Sequence, residues 1–315
     1  MVKQLEFEAL SAELAEVDEL LSSLPADDYA GRASLGSRRN HLADELATLV
    51  EAGDNLASTA LMFGGRPVIG SRGIDSEFAA RTLTDFKEMV NVLRATTENQ
   101  NIGARGPIPG HSSAALYVTE IVRGSVGFLI EEIEPQGSVL FPSSLKLASD
   151  RAAEIIQACA SDDQGAFDEE LPKLSPRVFS SLRSFFTGLH RAEATMRIVE
   201  GQRDFIMDKP ALARAFARIE ESAVTEDEVE FTGTLLGVLP EAGRFEFRTQ
   251  AGLLLVGKVA GNFAESYLNR LKEEQIVGRL WKASLTRKQT SQFGKKSEAF
   301  TLFDLREVDS SSNQV

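Results

Sequence analysis

Cysteine and long apolar segments are what this sequence most clearly lacks. Cys159 is the single cysteine in 315 residues, which excludes an internal disulfide and indicates a reducing compartment. No apolar run approaches the roughly 20 residues needed to span a bilayer, and the first residues lack the basic-then-apolar pattern of a signal peptide. The sequence therefore predicts a cytoplasmic protein with no membrane partner.

Histidine is almost as scarce, which argues against a histidine-based metal site. His41, His111 and His190 fall in different predicted elements, and none has a second histidine at the spacing of zinc ligands. His111 precedes two serines, and a His/Ser pair supports nucleophilic catalysis only when a third group orients the imidazole. Because the sequence identifies no such group, a hydrolase-type enzyme around His111 is kept only as an alternative.

Phosphate-binding motifs are missing as well. A Walker loop requires the pattern G-x-x-x-x-G-K-[ST], but the Gly-Lys-Lys at Gly294 has Gln289 where the first glycine should stand. Residues 103–110 contain glycines, yet two prolines remove amide donors there and no predicted helix follows, so a dinucleotide-binding motif also fails. The sequence thus predicts no cofactor, and it favours a protein that is not an enzyme.

Negative charge is what the chain has in excess, and it is unevenly placed. The net charge is −13; residues 229–315 carry 12 Lys and Arg against 10 Asp and Glu, whereas residues 1–228 carry 22 against 37. The upstream part, at −15, repels nucleic acid at long range, so any such binding must be local to the C-terminal part. The length and composition are those of about two globular domains.

The first 53 residues predict an antiparallel helical hairpin with a coiled-coil-like seam. Leucine and valine recur there with alternating spacings of four and three, the a/d pattern of such seams. The seam residues are Leu10, Leu14, Val17, Leu21 and Leu24 in the first helix and Leu35, Leu42, Leu46 and Leu49 in the second. Because two helices alone are marginally stable, the seam should pack on the body or on a second copy of the chain.

Residues 54–225 predict an α+β body with a helical bundle. Two hairpins are expected, one at 58–63 and 66–69 turning at Gly64-Gly65, the other at 114–122 and 126–133. Asp75 is a predicted N-cap for the helix between them. Further helices include a long one from Pro176 to Val199, and the acidic residues 220–230 are predicted to form an interdomain hinge.

Residues 229–308 predict a small five-stranded barrel. Val229, Phe231 and Leu235 alternate with polar residues, as do Phe245 and Phe247, which is the pattern of half-buried strands. A third strand at 253–259, a short amphipathic helix at 262–271 and strands at 276–285 and 299–306 complete the order β-β-β-α-β-β. That order is typical of an oligonucleotide/oligosaccharide-binding (OB) barrel, and residues 309–315 are predicted to be a disordered tail.

The basic residues near the last two predicted strands form the candidate ligand site. Residues 286–297 are expected to be a loop, in which cations would neutralise phosphates and an aromatic ring would stack on a base. The candidates are Arg279, Trp281, Lys282, Arg287, Lys288, Phe293, Lys295 and Lys296. A solvated loop whose cations serve only solubility explains the same residues.

Two functional hypotheses therefore compete. The first is a non-catalytic interaction or assembly protein, which self-associates through its helical seams and docks a protein partner with its barrel. The second is a single-stranded nucleic-acid-binding protein that acts through the basic loop. They differ in salt response, because phosphate contacts weaken steeply with salt and an apolar seam does not.

Overall fold

The computed structural model describes most of the chain, in a mixed α+β arrangement of helices and sheets. The described residues are 2–25, 27–51, 54–98, 116–122, 126–133, 141–201, 203–239, 242–261, 263 and 276–308. Three predictions fall largely outside them: the loop around His111, the short helix within the barrel and the C-terminal tail. The chain divides into two compact units, one of Met1–Glu170 with Ser180–Ile219 and one of Leu171–Phe179 with Glu220–Val315.

The N-terminal residues form two helices, α1 (Lys3–Ser23) and α2 (Tyr29–Glu51), which pack against each other. Val17 and Leu42 are buried between them. The other predicted seam residues are half-buried: Leu10, Leu14, Leu21, Leu24, Leu35, Leu46 and Leu49. Ion pairs Arg38–Glu13 and Arg39–Asp18 join the two helices. The seam thus packs within one chain, and its self-association stays a prediction.

A five-stranded antiparallel sheet forms the centre of the first unit. Its strands are β1 (Ser58–Gly65), β4 (Leu116–Val122), β5 (Val126–Glu132), β6 (Ala194–Glu200) and β7 (Arg203–Met207), in the order β4-β5-β1-β6-β7. The strands β2 (Val68–Ile69) and β3 (Gly73–Ile74) pair only with each other. The predicted hairpin of β4 and β5 is confirmed.

The other predicted hairpin is wrong. Gly64 and Gly65 do not turn the chain back at residues 66–69, because β1 runs through both glycines and pairs with β5 on one side and β6 on the other. Residues 59–63 are all buried, as expected of a central strand covered on both faces. The short apolar run therefore marks the middle of a sheet rather than one arm of a hairpin.

Five more helices complete the described part of the first unit and the start of the second: α3 (Ser76–Thr97), α4 (Ser144–Ala160), α5 (Gln164–Glu170), α6 (Pro176–Arg191) and α7 (Lys209–Glu220). Asp75 caps α3 as predicted, since its carboxylate accepts a 2.8 Å hydrogen bond from the Phe78 amide. The predicted continuous helix to Val199 is wrong. It ends at Arg191, and Glu193 adopts φ +51°, which turns the chain into β6.

The C-terminal strands form a closed five-stranded barrel. They are β8 (Ser222–Leu239), β9 (Arg244–Thr249), β10 (Leu254–Val259), β11 (Leu280–Gln292) and β12 (Lys295–Glu307), paired in the ring β10-β12-β11-β8-β9. The barrel core contains Leu235, Phe245, Phe247, Leu255, Phe263, Ile276, Trp281, Ala283, Leu285, Leu302 and Leu305. The inward alternation of Phe245 and Phe247 is as predicted.

Two predicted irregular segments of the barrel are in fact strands. The division between the two units falls at Glu220, the start of the predicted acidic hinge, but the segment is not irregular, because β8 begins at Ser222 and its acidic residues pair along β11. The basic loop is also wrong, since β11 and β12 pair up to Gln292 and Lys295, which leaves Phe293 and Gly294 as a two-residue turn. Both errors have one cause: the acidic and basic segments hold each other in a sheet, although they lie 60 residues apart.

Candidate functional site

Trp281 is not available to a ligand. Its side chain is 1% exposed, and its indole Nε1 donates a 2.7 Å hydrogen bond to the carbonyl of Ile276. Buried tryptophan usually finds such a partner for its N–H group. Trp281 therefore belongs to the barrel core, which corrects its prediction as a ligand contact.

Two of the predicted cations are engaged by the acidic stretch of β8. Arg287 donates to Asp227 at 2.6 Å, and Lys282 contacts Glu230 at 2.7 Å. The hydrogen bond from Arg287 lowers the pKa of Asp227, and that from Lys282 lowers the pKa of Glu230. An approaching phosphate would have to compete with these carboxylates, so neither cation is a strong anchor for a polyanion.

Lys288 has a different environment, because it is half-buried on β11. Burial lowers its pKa, and the charge of Lys258 on β10 lowers it further, against the opposing attraction of Glu226. Two ammonium groups therefore lie close enough to repel each other. A bound anion would reduce the repulsion between these two ammonium groups.

The remaining predicted contacts lie on the surface. Arg279 is exposed, as are Lys295 and Lys296 beside the turn between β11 and β12. Phe293 is 56% exposed at that turn. We call Phe293, Lys295 and Lys296 the hairpin tip.

The cations of β9 and β10 are not among the ligand contacts predicted from the sequence. Arg244, Arg248 and Lys258 are exposed because their strands alternate, with Phe245, Phe247 and Leu255 pointing into the barrel. The register sets Arg244 opposite Lys258 and Arg248 opposite Leu254. We call the outward residues of these two strands the β9–β10 face: Arg244, Glu246, Arg248, Leu254, Val256 and Lys258.

The β9–β10 face combines unpaired positive charge with apolar surface. Within the described residues, none of its three cations forms an ion pair of the kind that holds Arg287 and Lys282. Leu254 and Val256 are each 49% exposed. In the sequence, the alternation of Arg244, Glu246 and Arg248 with phenylalanine indicates an outward-facing charged strand face. By itself this alternation predicts a strand and does not predict a ligand site.

A second polar cluster lies in the interior of the first unit. The Nζ of Lys146 on α4 contacts carboxylates of Asp54 at 2.8 Å, Glu200 at 2.9 Å and Asp150 at 3.1 Å. Glu200, at the end of β6, is fully buried and also accepts hydrogen bonds from Thr59 and Ser149. We call these six residues the Lys146 cluster.

In the Lys146 cluster, burial and electrostatic attraction act in opposite directions on the pKa values of Lys146 and Glu200: attraction prevails at Lys146, and burial prevails at Glu200. Burial would lower the pKa of Lys146, but its attraction to Glu200 and its hydrogen bonds to Asp54 and Glu200 outweigh that, so its pKa is raised. Burial raises the pKa of Glu200 to about 7, against the attraction of Lys146. Because these charged groups are already paired with each other, the cluster ties α4 to the sheet rather than offering a free reactive group.

Two carboxylates of consecutive residues, Glu131 and Glu132, lie at the end of β5. Glu131 accepts hydrogen bonds from Ser58 and Thr119, and Glu132 accepts from Ser143 and the Ala57 amide. Both therefore serve local structure. In the ranges that the structure describes, no three His, Cys, Asp or Glu side chains could hold a metal ion, and no helix is long and apolar enough to cross a membrane.

No family model, curated protein or solved structure matches this chain at a significant level. The β9–β10 face is therefore judged on its own geometry, charge and exposure.

Proposed function

We propose that this chain binds single-stranded nucleic acid on the β9–β10 face. The barrel resembles the OB type, a five-stranded Greek-key barrel that uses its second and third strands to bind oligonucleotides or oligosaccharides. Two features support the resemblance: the third strand, β10, pairs with the fifth, β12, and this pair is parallel. In this chain β9 and β10 are the second and third strands.

The observation that carries the proposal is a set of cations that form no ion pair with any residue the structure describes. Arg244, Arg248 and Lys258 project from two adjacent strands, within reach of one extended polyanion. Strands lie about 4.8 Å apart and residues i and i+2 about 6.7 Å apart, so the three charges can contact several consecutive phosphates. Leu254 and Val256 offer apolar contact to unstacked bases, which favours a single strand over a duplex.

The test is fluorescence anisotropy with a labelled oligothymidylate at low salt. We expect wild type to bind, and we expect the double variant Arg244→Gln/Lys258→Gln to lose most of that binding because two phosphate contacts disappear. Lys282→Gln/Arg287→Gln is the matched control: it also removes two positive charges, but from side chains already engaged by Glu230 and Asp227. Absence of binding by wild type at low salt, or equal losses in the double variant and the control, would refute the proposal.

Self-association through the helical hairpin is a second proposal, favoured by the seam leucines that stay half-buried between α1 and α2. Leu20 and Tyr29 are also exposed, at 47% and 80%. Light scattering should detect an oligomer that Leu14→Asp dissociates, and a strict monomer at high concentration would exclude it. Docking of a protein partner by the barrel is the alternative that remains if wild type binds no oligonucleotide.

A further inference from the structure

The turn between β11 and β12 has a residue that its backbone disfavours. Phe293 has φ +45° and Gly294 has φ +79°, which is the pattern of a type I′ turn. Such turns prefer Asn-Gly, because asparagine tolerates the left-handed region whereas a bulky residue there is strained. Phenylalanine at this position is therefore unfavourable for the turn itself.

The backbone of Phe293 is anchored, since its N–H donates a 3.4 Å hydrogen bond to the Glu221 carbonyl. Among the described residues, however, its ring has no structural role like that of the Glu193 side chain. Phe293 and Glu193 are the non-glycine residues with positive φ among those described. Glu193 follows the end of α6, where such a conformation is common, and its carboxylate and carbonyl both accept hydrogen bonds from Arg66. The Phe293 ring is 56% exposed and stacks on no aromatic ring of the described residues.

Strained residues concentrate at functional sites, where the side chain is needed in spite of its conformational cost. Lys295 and Lys296 follow Phe293 across the turn, both exposed and both without an ion-pair partner in the described part of the chain. An exposed ring beside two cations fits one unstacked base with a neighbouring phosphate. We infer that the hairpin tip is a second contact for the single strand, with Phe293 stacking on a base. This inference rests on the proposed function.

The distance between the two contacts sets a length requirement for the ligand. Lys258 lies opposite Thr301, which lies opposite Thr286, and Phe293 follows Thr286 by seven residues along β11. At about 3.3 Å per residue, the two contacts lie about 23 Å apart along the strands, and about 10 Å apart across two strand spacings. A fully stacked strand, at about 3.4 Å per nucleotide, needs about seven nucleotides to span the roughly 23 Å, and a strand with unstacked bases is more extended and needs fewer.

The test compares dT4, which is too short to reach both contacts, with dT12, which is long enough. We expect Phe293→Asn to weaken dT12 binding about tenfold, the order of one base–aromatic stack, and to leave dT4 binding on the β9–β10 face unchanged. The same substitution should raise the urea midpoint, because Asn-Gly relieves the strained turn. Phe293→Trp keeps an aromatic ring and should bind dT12 like wild type.

The outcomes separate this inference from the proposed function. If Phe293→Asn binds dT12 as tightly as wild type while Arg244→Gln/Lys258→Gln does not bind, the hairpin tip is no contact and the β9–β10 face still is. If Phe293→Asn weakens binding but also lowers the urea midpoint, the strain argument is wrong. If wild type binds neither oligonucleotide at low salt, both ideas are overturned together.

Discussion

The two units of this protein use charge in opposite ways. In the first unit, Lys146 meets three carboxylates in the interior, where Glu200 is fully buried. In the second unit, the ion pairs Arg287–Asp227 and Lys282–Glu230 join β11 to β8 on the barrel surface. When one partner of a buried ion pair is removed, water cannot take its place, so breaking the pair is costly. Exposed ion pairs contribute little to the free energy of unfolding. Burial, rather than distance between the charges, therefore decides which pairs hold the fold.

The comparison also locates the candidate site. On the barrel surface the acidic residues of β8 occupy some cations and leave others unoccupied. The cations of the β9–β10 face and the ion pairs between β8 and β11 are both exposed to water. Exposure makes these ion pairs contribute little to stability, and it leaves the cations of the β9–β10 face accessible to a ligand. Four experiments test this contrast, and they are ordered from the largest expected effect to the smallest.

Lys146→Met should have the largest effect. It leaves Asp54, Asp150 and Glu200 close together without their shared cation, and breaking a buried pair in this way costs about 3–5 kcal/mol. Urea denaturation followed by circular dichroism measures the loss. The surface counterpart Lys282→Met should leave the midpoint unchanged within error; equal effects of the two variants would contradict the contrast.

Stability should also depend on pH through Glu200. Its pKa is raised to about 7, above its ordinary value of about 4.3, so the folded state holds a proton that the unfolded state releases. Stability due to this group is therefore highest below about pH 4.3 and falls as pH rises to about 7, by on the order of 3 kcal/mol. Glu200→Gln should flatten this fall in urea titrations at pH 5 and pH 8, and an unchanged slope would show that Glu200 is ionised throughout.

Trp281→Phe should show that a substitution in the barrel core changes stability without changing ligand binding on the barrel surface. The substitution removes the indole N–H that satisfies the Ile276 carbonyl, and an unsatisfied buried group costs about 1–3 kcal/mol. Stability should fall by that amount, while the affinity for oligothymidylate should not change. A loss of affinity in a variant that remains folded would return Trp281 to the ligand site.

Asp227→Asn should have the smallest effect on stability, and it should raise the affinity for oligothymidylate. Removal of the carboxylate frees Arg287 to meet a phosphate, so affinity at low salt should rise and the salt slope should steepen by about 0.7. Anisotropy titrations at several salt concentrations measure both. An affinity that falls or stays constant would mean that Arg287 lies out of reach of the strand.

The sequence predicts those features of the fold that depend on near neighbours. The cap at Asp75 needs only the amide of Phe78, and the inward phenylalanines of β9 need only a period of two. The end of α6 was missed because Glu193 reverses the chain without a glycine to signal it, while the apolar spacing continues through Met196 and Val199 into β6.

The ion pairs of the predicted site residues could not be predicted from the sequence for a similar reason. Arg287 and Lys288 look like a basic loop in the sequence, because their acidic neighbours on β8 are about 60 residues away. Arg244, Arg248 and Lys258 look unremarkable, since their value as a site depends on the absence of such neighbours. Pairing across a sheet is a long-range property that local composition does not contain.

The most direct test of the account is the salt dependence of oligothymidylate binding. For dT4, which reaches only the β9–β10 face with its three cations, a plot of log affinity against log salt should have a slope of about −2, at about −0.7 per phosphate contact on a single strand. Arg244→Gln/Lys258→Gln should reduce the slope to about −0.7. A slope that is near zero in wild type, or that is identical in the two proteins, would contradict the assignment of nucleic-acid binding to this face.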